Sequence, residues 1–381
     1  MLKDPTAVAH ENATRALWHL AQTEAVAIPK VGGIVPLVSM LAATNPRTLQ
    51  HTAAALDSLA KEHVDNQLAL AKAGAITPLI ALLGSDSADT QEHAASALLA
   101  ISSHNEKARG TFLRQLVGVL SSRNAAAQMK ATEALAVLAL RDSASRKAIT
   151  DAQAIEPLVR QLGDGRRVQR ATPQERTAAV LAELARTSEN KIAIVACGGV
   201  PPLVAMLEAP SIEAQTHAAC ALWQLAALGK NRPVMVEAGA IPPLVRVLAS
   251  VSTDAQRFAT GALWHLAWAA DNKAEMVKAG AIPLLVGVLV SRSLEAREFA
   301  AAVVSALART QGGNKKMIYQ AGGVEALVMT LGDGRALTQK HAACALWGLS
   351  DGKDGVYDRQ IAEAGAIPHL TKLLINGDQE T

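Results

Sequence analysis

The chain has 381 residues, half of them hydrophobic but only 3% aromatic, so alanine and leucine carry the apolar content. That balance suits closely packed helices and disfavours sheets. Lys and Arg number 37 against 34 Asp and Glu, with no long block of either sign, which leaves no electrostatic case for a nucleic-acid or anionic-membrane partner.

The first predicted element, in DPTAVAHENATRALWHLA within residues 1–22, is an amphipathic helix that leaves Leu17 and Leu20 uncovered. From residue 32 one phrase keeps returning: GGIVPLV, AGAITPLIALL, AQAIEPLV, GGVPPLV, AGAIPPLVRVL, AGAIPLLVGVL and AGAIPHL. Its glycine slots are Gly32, Gly74, Gly198, Gly239, Gly280, Gly322 and Gly365, with Gln153 in one place, and neighbouring slots lie 41 to 45 residues apart. The single long gap, 79 residues from Gly74 to Gln153, holds a degenerate copy (KARGTFLRQLVGVLSS) with a shortened first helix expected near 105–113. A fixed period of this length in a helical composition specifies an all-α solenoid. The expected repeats are 23–62, 63–104, 105–142, 143–188, 189–229, 230–270, 271–312 and 313–352, with partial repeats at 1–22 and 353–381, the latter closing in a polar cap, NGDQET.

Each unit reads as three helices. An asparagine eight residues before the glycine, at Asn66, Asn190, Asn231, Asn272 and Asn314, is expected to N-cap the first helix. The glycine ends that helix in a conformation costly for other residues. Proline then stands in the first turn of the second helix, at Pro36, Pro78, Pro157, Pro202, Pro243, Pro283 and Pro368, where its missing amide costs nothing. A longer third helix follows, as in AACALWQLA and ATGALWHLA, whose small residues permit close approach and whose paired leucines face the core. No unit buries its apolar face alone, so neighbours must stack.

The order Asn, Gly, Pro, then Ala-Ala-x-Ala-Leu-x-x-Leu-Ala resembles the armadillo repeat of β-catenin, importin-α and the plant U-box ligases, and TQEHAASALLAIS is especially similar to the ligase repeats. The resemblance covers nearly the whole chain. It implies a right-handed superhelix whose third helices line a concave groove for extended partner segments. In the peptide-binding members an asparagine precedes the final Leu-Ala of the third helix. Here that slot holds His19, Ser58, Ala100, Val137, Glu183, Gln224, His265, Ala306 and Gly348, which disfavours a nuclear import adaptor.

Trp18, Trp223, Trp264 and Trp347 share the position just before that slot. Each indole either packs against the adjacent repeat or serves as an aromatic anchor in the groove. Trp223, Trp264 and the extra Trp268 fall in consecutive units with Gln224 and His265, which marks this stretch as the expected hot region. His51, His93, His217 and His341 share a position seven residues before the slot. They stand a repeat or more apart, at least about 10 Å, so they cannot converge on one metal.

Glu183 reads as a groove contact for a basic or amide group. Arg166, Arg167 and Arg170, in GDGRRVQRATPQER, read as a solvated loop or a contact for an acidic partner, with Thr172 as a nearby phosphorylation candidate. No GxxxxGK[ST], GxSxG, HExxH or CxxC occurs, so no catalytic residue, metal or cofactor is assigned. Three cysteines, Cys197, Cys220 and Cys344, fit a reducing compartment. The apolar stretches fall short of the roughly 18 residues that a membrane span needs.

The sequence thus points to a cytoplasmic, non-enzymatic scaffold or adaptor that binds protein segments along its third helices. The candidate contacts are Trp18, His19, Glu183, His217, Trp223, Gln224, Trp264, His265, Trp268 and Trp347, with a further end-on contact at the N-terminal helix. The alternatives are the substrate-recognition array of a ubiquitin ligase and a structural component of a cytoskeletal or axonemal assembly.

Overall fold

The structure is a computed structural model that describes residues 5–103, 105–163, 173–310, 313–332, 335–350 and 357–377. Its described residues form helices and turns and no strand, in two compact units, 1–161 and 162–381. The first unit runs α1 (Pro5–Ala21), α2 (Ala27–Lys30), α3 (Ile34–Ser39), α4 (Pro46–Ala60), α5 (Val64–Lys72), α6 (Ile76–Leu82), α7 (Ala88–Ser103), α8 (Glu106–Leu120), α9 (Ala125–Arg141), α10 (Ser143–Asp151) and α11 (Ile155–Leu162). The second runs α12 (Pro173–Leu184), α13 (Ser188–Ala196), α14 (Val200–Met206), α15 (Ile212–Ala226), α16 (Arg232–Glu237), α17 (Ile241–Val247), α18 (Thr253–Leu266), α19 (Ala270–Lys278), α20 (Ala281–Leu289), α21 (Leu294–Ala308), α22 (Asn314–Gln320), α23 (Gly323–Leu331), α24 (Ala336–Ser350), α25 (Asp358–Glu363) and α26 (Ala366–Gly377).

The third helices form the spine of each unit. In the first, α1 stacks on α4 and α4 on α7; in the second, α12, α15, α18, α21 and α24 stack in succession. Within a unit, second helices pack on the third helix that follows, as α6 on α7, α17 on α18 and α20 on α21. The paired leucines anchor this core: Leu56, Leu59, Leu222, Leu225, Leu263 and Leu266 are wholly buried.

The break between first and second helices is set by one residue. All seven slot glycines adopt positive φ, between 71° and 85°, and Gln153 follows them at 61°. Around Gly74, Gly198, Gly239 and Gly280 a Cβ would meet nothing within 4 Å. Backbone handedness rather than crowding therefore selects glycine there.

The recurring asparagines do something other than cap the helix they begin. Asn66 Nδ2 donates to the carbonyls of Leu59 (2.9 Å) and Ala25 (3.0 Å). Asn190 reaches Leu184 O at 2.9 Å, Asn231 Leu225 O at 3.1 Å, Asn272 Leu266 O at 2.8 Å and Asn314 Leu307 O at 3.3 Å. The leucine acceptors all lie in the last turn of the preceding third helix, where carbonyls lack intrahelical partners, and Ala25 lies just before α2. The amide is thus a latch between consecutive repeats. The N-caps that do operate belong mostly to the third helices: Asn45, Asn124, Ser211, Ser252 and Ser293 accept from the first-turn amides of α4, α9, α15, α18 and α21.

The degenerate copy also departs from expectation. Instead of a shortened first helix, its first and second helices fuse into the single 15-residue α8, N-capped by Asn105 and burying Phe112, Leu113, Leu116 and Leu120. Six of the slot glycines, Gly32 to Gly322, precede a third-helix slot by 26 residues, and 26 before Val137 stands Thr111. Without glycine there the chain keeps its helical φ and runs on.

Candidate binding surface on the third helices

In the second unit Trp223 and Trp264 are tied to the repeats that follow them. Trp223 of α15 leans over Gly261 of α18, where an added Cβ would come within 2.7 Å of the indole Nε1. Its ring lies 5.5 Å from Phe258 and 5.9 Å from Phe299. Trp264 stacks on Phe299 at 5.5 Å with planes 19° apart, and its neighbour His265 lies tilted at 4.7 Å. Offset rings at these separations add to the burial of their area. Phe258 and Phe299 occupy the register of His217 and His341, seven residues before the slot, so one position alternates between imidazole and phenyl rings.

Trp223, Gln224, Trp264 and His265 remain half-buried, so each keeps one face open. Trp268 is 72% exposed, with the Arg232 guanidinium 5.9 Å above its ring. Trp347 is 60% exposed and has no ring partner among the described residues.

The surroundings of this surface are cationic. The residue after four of the five latch asparagines is basic, at Lys191, Arg232, Lys273 and Lys315. Arg232 Nε donates to Ala226 O at 3.0 Å, and Arg146 in the first unit donates to Ala139 O at 2.9 Å, so these side chains also complement the negative ends of third helices. Burial depresses His265 from 6.5 to about 4, and the charges of Arg232 and Lys191 push the same way. His265 is therefore a neutral imidazole at physiological pH. Burial is also the main cause lowering His217 and His341, against the opposing pull of Glu175 and Glu213 on the former and Glu298 on the latter.

Glu183 is not a lone acid. Its carboxylate pairs with Arg186 at 2.8 Å one helical turn on. Burial, helped by Glu183, pushes the Cys220 thiol up to about 12, so it is no nucleophile.

In the first unit Trp18 faces histidines. It stacks on His51 at 5.9 Å, meets His93 edge-on at 6.2 Å and touches the exposed His19 at 4.9 Å. Asp57 holds the tryptophan register of α4 and is 2% exposed. It accepts from Ser96 Oγ at 2.6 Å, meets His93 Nδ1 at 3.0 Å and pairs with Lys61 at 3.2 Å. A cleft of about 580 Å³ opens beside it, lined by Trp18, Glu24, Asp57, Lys61, Glu62 and His93. Only an acid alone among the alanines of AAALDSLA could have marked Asp57 in the sequence.

A cleft of about 640 Å³ lies away from the third helices, between α14 and α17, walled by Pro201, Pro210, Pro242 and Pro243 and spanned by the Glu208–Arg246 pair. Among the described residues no cluster of His, Cys, Asp or Glu could hold a metal, and no helix is long and apolar enough to cross a membrane. Arg166, Arg167, Arg170 and Thr172 lie outside the described residues.

The family model of the plant U-box protein ARM repeat region matches residues 113–378, and that of the armadillo/β-catenin-like repeat matches 63–103. The chain belongs to the plant U-box ARM-repeat family. No curated protein matches it. Among solved structures, one engineered protein is 31% identical over 98% of this chain and 92% of its own, with a TM-score of 0.73. A computationally designed armadillo repeat protein for modular peptide recognition is 26% identical over 62% of this chain and 99% of its own, at 0.54. A designed armadillo repeat protein in complex with the peptide (KR)4 is 25% identical over the same shares, at 0.52. The armadillo architecture is thereby established for an array without the slot asparagines.

Proposed function

We propose that this armadillo chain is a non-enzymatic scaffold that holds extended protein segments on the third-helix face of its second unit. The observation that carries this is the half-open aromatic row Trp223–Phe299–Trp264, flanked by Gln224, neutral His265 and exposed Trp268. Tryptophan and arginine at such a centre are the residue types that dominate binding energy. Gln224 supplies both a donor and an acceptor for a bound backbone, the task that a slot asparagine would otherwise perform.

Charge selects the segment. Lys191 and Arg232 act on His265 as positive neighbours, so a docked segment gains by presenting a carboxylate beside its apolar contacts. The (KR)4 peptide bound by a designed relative is of the opposite kind, and this chain is expected to reject it. Selection from a peptide library tests both points. Enriched peptides should carry acidic residues next to an apolar anchor, and Trp268→Ala with Arg232→Glu should weaken them at least tenfold while helicity is unchanged. Peptides that are basic, or that bind the double variant equally well, would overturn the assignment.

A ubiquitin-ligase role is favoured by one finding, the U-box family match itself. Capture of the same acidic segments by a longer chain bearing a ligase domain, followed by their ubiquitination, would convert the scaffold into a substrate-recognition array. The cytoplasm is the compartment this function fits.

A further inference from the structure

Several cations of the second unit are neutralised within the fold. Arg186 pairs with Glu183, Arg246 with Glu208, Arg257 with Glu295 and Arg335 with Glu298. Lys191 and Arg232 depart from this pattern. Among the described residues neither has a carboxylate within ion-pair distance.

Consecutive repeats bring these two side chains together. Asn231, the residue before Arg232, donates from Nδ2 to Lys191 O at 3.4 Å, so the latch between the repeats sets both side chains side by side. Both charges bear on one imidazole, that of His265, and no carboxylate answers them there. Burial lowers Lys191 from its ordinary value, again with no acid opposing it. A cation held partly out of water without a partner is costly, and a bound anion offsets that cost.

Arg232 is also aimed. Its Nε donates to Ala226 O at 3.0 Å and its guanidinium carbon lies 5.9 Å from the centre of the Trp268 ring, so the plane is held from two sides. Its two Nη groups have no partner among the described residues. They form a fork that matches two oxygens of a single acceptor.

We propose that Lys191, Arg232 and His265 form a phosphate subsite, and that the acidic group of the docked segment is a phosphorylated side chain. This rests on the third-helix face holding a segment, and it narrows what that segment carries. A carboxylate offers two oxygens and one charge, which the Arg232 fork alone satisfies. A phosphate monoester offers three acceptor oxygens and a charge of about −1.5 to −2 at neutral pH. Two oxygens lie in the fork and the third meets the Lys191 ammonium, with the neutral imidazole of His265 as a further donor. Exposed Trp268 gives the segment its apolar contact beside them.

Two peptide libraries test this on the 381-residue chain, one with phosphoserine and one with aspartate fixed at the centre of otherwise random sequence. Phosphoserine peptides should be enriched, and each should bind at least about tenfold tighter than its aspartate twin. Lys191→Met should abolish that preference. Arg232→Lys keeps the charge and loses the fork, and should weaken the phosphopeptide by about tenfold as well. Both variants should keep wild-type circular dichroism, with Lys191→Gln and Arg232→Gln as second choices. Equal binding of the twins, or a preference that survives Lys191→Met, would overturn the phosphate subsite and leave the segment-binding surface standing. Enrichment from neither library would remove that surface and the subsite with it. Vesicles containing a phosphoinositide that outcompete the phosphopeptide, and lose their binding in Lys191→Met, would assign these cations to a membrane and overturn the peptide assignment.

Discussion

Two ways of joining one third helix to the next coexist in this molecule. Between α15 and α18 the chain breaks at Gly239 and is latched by Asn231, whose amide reaches Leu225 O and Lys191 O. Between α7 and α9 neither device is present, and the chain crosses in one continuous helix, α8. Both routes deliver the following third helix to a stacked position. The stacking of third helices is therefore the invariant of the fold, while glycine and asparagine decide how the connecting chain is folded and tied down.

The largest effect should come from removing a latch. Asn66→Ala leaves the Leu59 and Ala25 carbonyls buried and unpaired, and should cost about 2–3 kcal/mol. Native-state hydrogen exchange in α5 would reveal it, and unchanged protection there would show that the latch is ornamental. Next comes the aromatic row. Gly261→Ala places a methyl 2.7 Å from the Trp223 indole and should cost about 2 kcal/mol with a red-shifted tryptophan emission. Gly287→Ala, in α20 with nothing within 4 Å, should instead gain up to about 1 kcal/mol. A loss at both glycines would mean that crowding by Trp223 is not the cause.

The break itself is worth less. Gly280→Ala must hold φ near 80° and should lose about 1 kcal/mol, while Gln153→Gly relieves φ of 61° and should move the melting temperature upward. Equal signs for the two changes would contradict the account of the break. The smallest effect is one of pH. His265 is depressed, so as pH falls from 6.5 towards 4 the unfolded chain takes up a proton that the folded chain refuses, and stability declines across that window. His265→Gln should flatten the decline without abolishing it, because His217 and His341 are lowered too. A decline confined to pH above 7 would exclude histidine as its source.

The punctuation of the fold was legible in the sequence because glycine has few other reasons to recur at a fixed phase. All seven slot glycines, and Gln153 in their register, take the left-handed conformation. Asparagine was harder to read, since its side chain both donates and accepts. The sequence placed it correctly but could not say that it serves the helix behind it rather than the one it begins. The site was legible only in part. The sequence singled out Trp223 and Trp264 as candidates, yet the rings they pack on, Phe258 and Phe299, are hidden by a change of residue type within one register. The pairing of Glu183 with Arg186 and the burial of Asp57 depend on contacts that no spacing announces.

The most direct test of the central assignment is hydrogen exchange on the intact chain with and without a selected acidic peptide. The account predicts new protection at the C-terminal turns of α15 and α18 and at the start of α16, around Trp223, His265 and Arg232. Protection confined to the proline-walled cleft between α14 and α17, with the third helices unchanged, would contradict it.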